Sequence, residues 1–539
     1  MPGLSDAELR GRSAARRRWF SIDRTCLAAA ALGAATVAAY APLYLYPLSV
    51  LTIAMLVWLW NQTMSPRRAA VLGWWFGLGL FLTGVSWVYV SLHDFGAMPA
   101  PLAALATLLF CAYLALFPAV SGYAYSRVRA PSWVKLMLVL PALWTLTEWI
   151  RGWLFTGFPW LAIGYTQVPL SPLAGYAPVL GVYGLTLATI ATAAAIVLLA
   201  ERASTRHGVR QTASAQSLSH AVSGAIRHPA LLLLVAIWLG GYGLTHVRWT
   251  QPVGTAISVS LLQGNIPQEI KWQEEGLRTT LATYHRLALA TDAKLVVFPE
   301  TALPLFLNEV PPAYLESLAN HAKRTGGDVL VGVPERLPNG EYFNSVISVG
   351  SFPVQAYRKT HLVPFGEFIP LRPVLSWIVG ILAIPLQDFS RGSPNPKPLA
   401  VAGQRAAINI CYEDAFGEEI IRQLPDATVL VNVSNVAWFG RSIAPRQHLQ
   451  ISQARALETG RYMLRSTNTG MTAIIDERGS VVRVAPQFET AAVAGTVQGY
   501  SGATPYVRWG NIAVLTLCAV LIAAGLLGAR SKVGRGETR

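Results

Sequence analysis

The sequence predicts a polytopic α-helical membrane domain of about eight spans, joined to an external α/β domain. Of its 539 residues, 53% are hydrophobic and 13% are charged, whereas soluble domains carry about 25% charged residues. Apolar runs approaching the thickness of a bilayer fill the first half of the chain and return near its C-terminus. Between them, short β-rich runs alternate with helical patterns, which is typical of an α/β domain. This composition argues against a soluble cytosolic enzyme and against disorder.

Eight apolar segments are the candidate spans, because a helix needs about 20 mostly apolar residues to cross the hydrocarbon layer. They are residues 26–40, 44–60, 69–92, 101–123, 134–150, 179–200, 230–246 and 512–527. A basic start followed by an apolar run is also typical of a signal peptide. Here the run leads directly into further apolar segments, so we expect an uncleaved first span.

The distribution of positive charge predicts the topology. Lys and Arg concentrate in the N-terminal segment, in every second connection between apolar runs and in the C-terminal tail. The positive-inside rule then places both termini in the cytoplasm and the long segment before the last span outside. We expect a cytoplasmic segment (1–24), a membrane domain of about seven helices (25–250), an external domain (251–508), a last span (509–529) and a cytoplasmic tail (530–539). The net charge of +15 is thus explained by topology, and we expect no nucleic-acid partner.

The external segment, at roughly 250 residues, is large enough to bury its own core. Its β-rich runs are residues 256–262, 294–298, 329–333, 345–349, 406–410, 428–433, 472–475 and 481–484. Helical patterns lie between several of them, at residues 276–290 and 312–324. An apolar stretch at 374–386 is too short to span a membrane, and two interpretations stay open for it: an arm in the membrane interface or a buried core helix.

Three patterns in this segment carry chemistry, and each lies at the end of a predicted strand, where α/β folds place catalytic groups. In the first, a buried strand runs through Pro299 into Glu300, and a carboxylate in partly apolar surroundings can act as a base. In the second, Lys359 and Glu367 flank a Pro/Gly loop, and a fixed ammonium can stabilise an oxyanion or lower a thiol pKa. In the third, a strand delivers Cys411 into a turn followed by acids, where a base and a cation would make the thiol a nucleophile.

Each pattern alone has an ordinary explanation: a surface acid, a solvated lysine or an inert buried thiol. In combination they resemble the nitrilase superfamily, whose members use Glu, Lys and Cys on an αββα sandwich. Together with the apolar spans, four longer strings extend the resemblance to the membrane-embedded branch, the apolipoprotein N-acyltransferase family. These strings are TLTEWIRGWLFTGFPW (145–160), QGNIPQEIKW (263–272), CYE (411–413) and NVSNVAWFG (432–440).

The resemblance implies that Glu300 is the general base, that Lys359 stabilises the tetrahedral intermediate and that Cys411 forms a thioester. It also implies supporting or substrate-binding roles for Trp272, Glu367, Tyr412, Glu413 and Trp438. The implied acyl donor is a membrane phospholipid, typically phosphatidylethanolamine, and the acceptor is the α-amine of the N-terminal diacylglyceryl-cysteine of an apolipoprotein. The implied location is the bacterial inner membrane, with the catalytic domain on the periplasmic side. The sequence has no metal or nucleotide motif, so we expect neither a metal nor a cofactor.

Two other functions stay open from the residues alone. A membrane-anchored nitrilase-like amidase would keep the triad but act on a small amide; an apolar approach to Cys411 favours the acyltransferase, and a narrow polar pocket favours the amidase. A transporter with an external sensing domain would need ionisable residues at mid-membrane, and the predicted spans hold few. Near the end of the fifth span, Glu148 and Arg151 have the spacing of an i,i+3 helix pair, for which we favour a structural role over contact with a lipid headgroup.

Overall fold

The structure is a computed structural model that describes residues 23–63, 65–209, 229–369 and 388–536. The predicted apolar arm at 374–386 lies outside these residues. The described chain forms a helical domain, which contains the N-terminal half and the last helix, and a sandwich domain between Gln251 and Ser501. Helices of the helical domain are α1 (Arg24–Thr36), α2 (Tyr46–Asn61), α3 (Pro66–Gly84), α4 (Ala100–Leu114), α5 (Leu116–Arg127), α6 (Leu140–Arg151), α7 (Ala177–Val209) and α8 (Pro229–Thr245).

All eight apolar segments of the sequence lie in helices. Within the described residues, three helical stretches are long and apolar enough to cross a membrane: Ala100–Arg127, Ser132–Arg151 and Pro172–Ala203. A fourth results if Pro66–Gly84 and Trp87–Phe95, which meet at a bend of 50°, form one span. The remaining apolar helices are shorter, so the count of eight spans stays a prediction. The last helix continues to Gly536, beyond the predicted end of the final span at residue 529.

The sandwich domain contains two six-stranded sheets. Its strands are β1 (Gln251–Gln263), β2 (Leu295–Val297), β3 (Asp328–Arg336), β4 (Tyr342–Gly350), β5 (Gln355–Arg358), β6 (Leu399–Val401), β7 (Gln404–Ile410), β8 (Val429–Ser434), β9 (Met463–Thr467), β10 (Ala473–Ile475), β11 (Val481–Val484) and β12 (Ala491–Ser501). The first sheet has the order β12-β1-β2-β3-β4-β5 and the second β11-β10-β9-β8-β7-β6. In the first sheet, β2 pairs in parallel with β1 on one side and β3 on the other. In the second sheet, β8 pairs in parallel with β7 and β9 in the same way. In each sheet, therefore, three neighbouring strands end at the same edge.

Two layers of helices complete an αββα sandwich, as the resemblance to the nitrilase superfamily implied. Side chains such as Val259 and Val297 from the first sheet meet Ile408 and Val431 from the second in one buried core. Complete burial of such a side chain contributes about 1.5–3 kcal/mol. On the outer face of the first sheet lie α9 (Glu274–Leu289) and α10 (Pro312–Arg324), and on the second lies α11 (Ala444–Thr459). The chain then returns to the helical domain through α12 (Pro505–Trp509) and α13 (Ile512–Gly536).

Helix α11 lies between the second sheet and the helical domain, and all but two of its residues are buried. One face contributes Leu449 and Ala456 to the core against the sheet. Its polar side chains cross to the helical domain: Trp160 Nε1 donates to Gln447 at 2.8 Å, and Gln450 Nε2 donates to the carbonyl oxygens of residues 165 and 168 at 2.9 Å. Because buried polar groups need partners, these bonds fix how the two domains dock.

Candidate active site

The three residues of the predicted triad follow the ends of three strands. Glu300 comes after β2, Lys359 directly after β5 and Cys411 directly after β7. Lys359 Nζ lies 3.5 Å from Glu300 Oε1 and 2.8 Å from Glu367 Oε1. Lys359 is 1% exposed and Glu300 is 7% exposed, whereas Cys411 is partly exposed. The sequence-predicted acid, cation and thiol thus lie at one site, with the sulfur-bearing residue on the accessible side.

Glu300 is held by donors at both carboxylate oxygens. Asn344 Nδ2 donates to Oε1 at 2.8 Å, and the Asn435 backbone N–H donates to Oε2 at 2.7 Å. Burial by itself raises the pKa of Glu300, but the charge of Lys359 and these hydrogen bonds outweigh it, so the pKa lies below the ordinary glutamate value. The site therefore holds an ionised carboxylate that can accept a proton.

Lys359 is a fixed cation with two carboxylate neighbours. Besides the ammonium, Glu367 accepts hydrogen bonds from Asn344 Nδ2 at 3.0 Å and from the Val363 backbone N–H at 2.8 Å. Burial lowers the pKa of Lys359, but attraction to Glu367 and Glu300 outweighs this, so the pKa is raised above that of an ordinary lysine. A permanently charged ammonium beside the thiol can stabilise negative charge that develops on a neighbouring oxygen.

Cys411 sits on a sharp turn between β7 and the following helical turn. Its φ of +55° lies in the left-handed region, which is uncommon for a residue with a side chain and marks a strained position. Its carbonyl oxygen accepts from Asn432 Nδ2 at 3.1 Å and lies 3.2 Å from His448 Nε2. Burial and the nearby Glu300 raise the pKa of the Cys411 thiol well above its ordinary value, despite Lys359. The resting sulfur therefore carries its proton and needs a base to become a nucleophile.

Glu413 ties the Lys359 strand end to the Cys411 strand end. Its carboxylate accepts from Thr360 N (2.6 Å), Thr360 Oγ1 (2.9 Å), His361 N (3.0 Å), Tyr357 OH (2.8 Å) and Ile410 N (2.6 Å). These donors immediately flank Lys359 and Cys411 in sequence. The structure thus gives Glu413 contacts that set the distance between cation and thiol, a distinction from Glu367 that the sequence could not make.

Tyr412 connects the site to the helical domain. Its hydroxyl donates to the Gly157 carbonyl at 2.9 Å, and its ring stacks at 6.3 Å from Phe158 and 6.5 Å from Trp160. The loop that carries these residues is fixed from α6 by two groups. Arg151 Nη1 donates to the carbonyls of residues 158 and 160 at 2.7 and 2.6 Å, and Glu148 accepts from the backbone N–H of residue 163 at 3.1 Å. Glu148 and Arg151 thus hold this loop through separate hydrogen bonds, which agrees with the structural role that the sequence favoured for them.

Trp438 and Trp272 are the two tryptophans for which the sequence predicted supporting or substrate-binding roles. The Trp438 carbonyl accepts from Ser91 Oγ at 2.7 Å and its ring lies 6.2 Å from Phe95, so its loop rests on the helical domain. Trp272 is 37% exposed and its side chain makes no hydrogen bond within the described residues to any member of the triad. The supporting or substrate-binding roles of Trp272 and Trp438 therefore stay predictions.

Asn344 and Asn435 contact residues of the candidate site and were not identified from the sequence. Asn344 is a buried amide side chain in strand β4, and an amide in a buried strand is a signal that could have pointed to it. Asn435 contacts Glu300 through its backbone N–H, and the identity of a side chain gives no sign of such a contact. Among residues 23–63, 65–209, 229–369 and 388–536, no group of three or more His, Cys, Asp or Glu side chains is arranged to hold a metal ion.

Comparison with known proteins matches both domains to one kind of protein. Residues 32–195 match the model of the apolipoprotein N-acyltransferase N-terminal domain, and residues 258–506 match the carbon-nitrogen hydrolase model. The apolipoprotein N-acyltransferase of Nitrosomonas europaea is 54% identical over 95% of this chain and 98% of its own length. That of Chromobacterium violaceum is 45% identical over 94% of each chain. Among solved structures, an amidase of the nitrilase superfamily from Nesterenkonia AN1 covers 49% of this chain and 97% of its own, at 16% identity and a TM-score of 0.36.

These matches extend over the helical and the sandwich domain together and agree with the resemblance found in the sequence motifs. The two family models indicate an enzyme of the acyltransferase and carbon-nitrogen hydrolase class. The apolar helices are those of a membrane protein. The chain therefore belongs to the apolipoprotein N-acyltransferase family.

Proposed function

We propose that this protein moves a fatty acyl chain from a membrane phospholipid, through a thioester on Cys411, to the α-amine of the N-terminal diacylglyceryl-cysteine of an apolipoprotein. The observation that carries the proposal is the meeting of the Glu300 carboxylate, the Lys359 ammonium and the Cys411 turn at the face of the sandwich that contacts the helical domain. An acyl donor anchored in a membrane would reach a thiol only at such a face. Phosphatidylethanolamine is the proposed donor, and the bacterial inner membrane, with the sandwich on the periplasmic side, is the proposed location.

The first half-reaction is acyl transfer to the enzyme. Glu300 takes the thiol proton, and Cys411 Sγ attacks the carbonyl carbon of the sn-1 ester. The carbonyl oxygen becomes an oxyanion, which the Lys359 ammonium stabilises. The carbon–oxygen bond of the ester then breaks, and the leaving glycerol oxygen takes the proton back from Glu300. A lysophospholipid departs and an S-acyl enzyme remains.

The second half-reaction returns the thiol. The amine of the acceptor attacks the thioester carbonyl, and Glu300 accepts a proton from the nitrogen. The carbon–sulfur bond breaks, and the sulfur is reprotonated from Glu300, which leaves an amide. The proposed role of Glu367 is to orient Lys359, which it contacts at 2.8 Å. The proposed role of Glu413 and Tyr412 is to position Cys411. Trp438 and Trp272 are assigned to the apolar approach for the two lipid chains.

The aromatic approach favours this function over the amidase. Tyr412, the residue next to Cys411, stacks with Phe158 and Trp160 of the helical domain. The ring of Trp160 lies 5.2 Å from that of Trp87, which in turn lies 4.7 Å from the ring of Phe439, so aromatic rings from both domains form one cluster that begins one residue from the thiol. A small polar amide gains nothing from such walls, whereas an acyl chain is stabilised by about 0.8 kcal/mol for each buried CH₂.

Mass spectrometry of the purified protein after incubation with phosphatidylethanolamine tests the proposal. We expect an acyl adduct on Cys411 that disappears on addition of a diacylglyceryl peptide, with an N-acylated peptide as product. Cys411→Ala removes the adduct, whereas the matched control Cys111→Ala, at a buried cysteine of α4, keeps it. An unmodified Cys411, or full N-acylation by Cys411→Ala, would contradict the proposal. Release of ammonia from a small amide without an acyl adduct would instead identify an amidase.

A further inference from the structure

A row of buried polar side chains leads to the Cys411 turn along the face of the second sheet that packs against α11. The strand register places Asn409 of β7, Asn432 of β8 and Arg465 of β9 side by side, and each is at most 2% exposed. Arg465 Nη1 donates to Asn432 Oδ1 at 2.7 Å, which orients the amide. Asn432 Nδ2 then donates to Asn409 Oδ1 at 2.6 Å and to the Cys411 carbonyl at 3.1 Å. The row therefore ends on the backbone of the residue that carries the thiol.

His448 of α11 is a second donor to the same carbonyl. Its imidazole is buried, and Nε2 lies 2.7 Å from Asp414 Oδ1 and 3.2 Å from the Cys411 carbonyl oxygen. Both neighbours of Nε2 are acceptors, whereas Nδ1 is buried and has no hydrogen-bond partner within the described residues. Burial and the charge of Arg465 lower the pKa of His448 despite Asp414, so the imidazole is neutral. Its one N–H proton therefore lies on Nε2, between the carboxylate and the carbonyl.

Asp414 is itself held in place, so it can orient the imidazole. Ser452 Oγ donates to Asp414 Oδ2 at 2.5 Å, and Arg465 Nη1 lies 3.3 Å from the same oxygen, which leaves Oδ1 to accept from His448. The acceptor of one ring nitrogen sets the tautomer and the orientation of a histidine. The imidazole also packs against Trp160 of the helical domain, at 5.3 Å between the ring centroids. Both domains therefore fix the ring that faces the Cys411 carbonyl.

The Cys411 carbonyl is a point at which the direction of the thiol is set. A φ of +55° is unfavourable for a residue with a side chain and persists only where the surroundings hold it. Before Cys411, strand β7 is fixed by pairing with β8 and by the bond from the Ile410 N–H to Glu413 at 2.6 Å. After its Cα, His448 and Asn432 contact the carbonyl. Because the chain is held on both sides of the Cα, the direction of the Cα–Cβ bond is determined, and with it the region that Sγ can reach.

We propose that His448 is a positioning residue: oriented by Asp414, its Nε2–H holds the Cys411 carbonyl and so directs the thiol toward Glu300 and Lys359. This inference rests on the proposed function and deepens it. His448 acts through the turn and transfers no proton. A residue that only fills the core would need its volume alone, whereas this role needs a hydrogen-bond donor at the position of Nε2, so experiment can separate the two.

The test compares two substitutions that keep the size of the side chain and differ in the donor. In His448→Gln the amide NH₂ takes the place of the Nε2–H, whereas His448→Met fills the space without a donor. Single-turnover acyl-enzyme formation with phosphatidylethanolamine in mixed micelles should be about 10–100-fold slower in His448→Met, because a misplacement on the order of 1 Å slows a reaction by up to about a hundredfold. His448→Gln should stay within about fivefold of wild type, since a donor is kept. The KM for phospholipid should be unchanged in both.

His321→Met is the matched control. His321 is a buried histidine of α10 whose Nε2 lies 2.7 Å from the Thr291 carbonyl, on the opposite side of the sandwich from α11. Its substitution also removes a buried imidazole and its bond to a backbone carbonyl, so it reports the effect of a general loss of stability. We expect it to leave the rate of acyl-enzyme formation unchanged.

Equal rates in His448→Met and His448→Gln, or a faster His448→Met, would overturn the inference, because a residue needed only for packing gives that result. A raised KM with an unchanged acylation rate would overturn it as well. Should His448→Met not fold, His448→Leu takes its place in the same comparison. A wild-type chain that forms no acyl adduct would refute the proposed function instead. Alkylation of Cys411 by iodoacetamide, followed by mass spectrometry, would then decide the role of His448: slow alkylation in His448→Met that is restored in His448→Gln supports it, and equal rates refute it.

Discussion

The carboxylate of Glu413 joins the two strand ends of the site, and the hydrogen bonds that it accepts set how much stability and activity its loss should cost. Glu413 accepts five hydrogen bonds from residues that flank Lys359 and Cys411. Glu413→Gln keeps the shape of the side chain but replaces one oxygen by an NH₂ group. Because the oxygen that receives three donors is best kept, the NH₂ group faces the Tyr357 hydroxyl and the Ile410 N–H. The hydroxyl can rotate to accept, whereas the N–H cannot.

The change therefore leaves one buried backbone N–H without an acceptor. Ile410 is fully buried, so water cannot replace the lost bond. An unsatisfied buried donor costs about 1–3 kcal/mol. For a domain of this size, about 2 kcal/mol lowers the unfolding midpoint by roughly 4–8 °C. The turn that carries Cys411 should shift relative to Lys359, and a misplacement on the order of 1 Å slows a reaction by up to about a hundredfold.

Two measurements check this prediction. Thermal unfolding at a fixed scan rate should show the lower midpoint, and single-turnover acyl-enzyme formation should be about 10–100-fold slower while the KM for phospholipid stays close to wild type. Glu316→Gln, at an exposed glutamate of α10, controls for loss of charge and should change neither. A Glu413→Gln protein with the wild-type midpoint and rate would refute the assignment of Glu413 as the link between the two strand ends.

Three further predictions concern the other members of the site. Lys359→Met removes the cation from two carboxylates and should reduce the burst of lysophospholipid at least a hundredfold; a normal burst would contradict its role at the oxyanion. Tyr412→Phe loses one hydrogen bond to the Gly157 carbonyl, worth about 1 kcal/mol, but keeps the stacked ring, so acylation should slow by only about two- to fivefold. Since the folded-state pKa of Glu300 lies below its ordinary value of 4.5, its carboxylate stays ionised above that pH and can accept the thiol proton there. The wild-type acylation rate should therefore be constant from pH 7 to 5, and a decline within that range would contradict the assignment.

Local sequence signals predicted the positions of Glu300 and Cys411, because each of them follows a strand with a run of aliphatic side chains. Strand β5, which precedes Lys359, has no such run and is not among the predicted strands, so Lys359 was predicted from its Pro/Gly loop and from the family resemblance. The structure brings all three residues to one site. The groups that complete the site depend on distant parts of the chain. Asn344 meets Glu300 and Glu367 only because β4 lies beside β3 and β5, and no short pattern encodes that neighbourhood.

Several elements were missed for a related reason. Helix α11 is buried on nearly all sides, so it has no apolar stripe at helical spacing, and polar residues such as Gln447 and Glu458 interrupt its sequence. Strand β12 is rich in Ala and Gly and lacks a run of β-branched residues. Gly499 in this strand allows close approach, because a Cβ there would lie 2.1 Å from the Gln404 side chain. A periodic pattern of apolar residues arises where one face of an element is buried and the other is exposed to solvent. Neither α11 nor β12 shows such a pattern in its sequence.

The burial of α11 against the helical domain constrains how the protein is made. Synthesis proceeds from the N-terminus, so the segment between α6 and α7, which bonds to Gln447 and Gln450, leaves the ribosome well before those glutamines do. The surface of the helical domain that contacts α11, here called the docking platform, can thus be assembled in the bilayer while the sandwich domain is still being translated. A fragment that begins at β1 would have no platform, and its amides and Glu458, which accepts from the Val182 N–H at 2.7 Å, would face water. The soluble-looking half of this chain is therefore expected to mature only as an extension of an already inserted one.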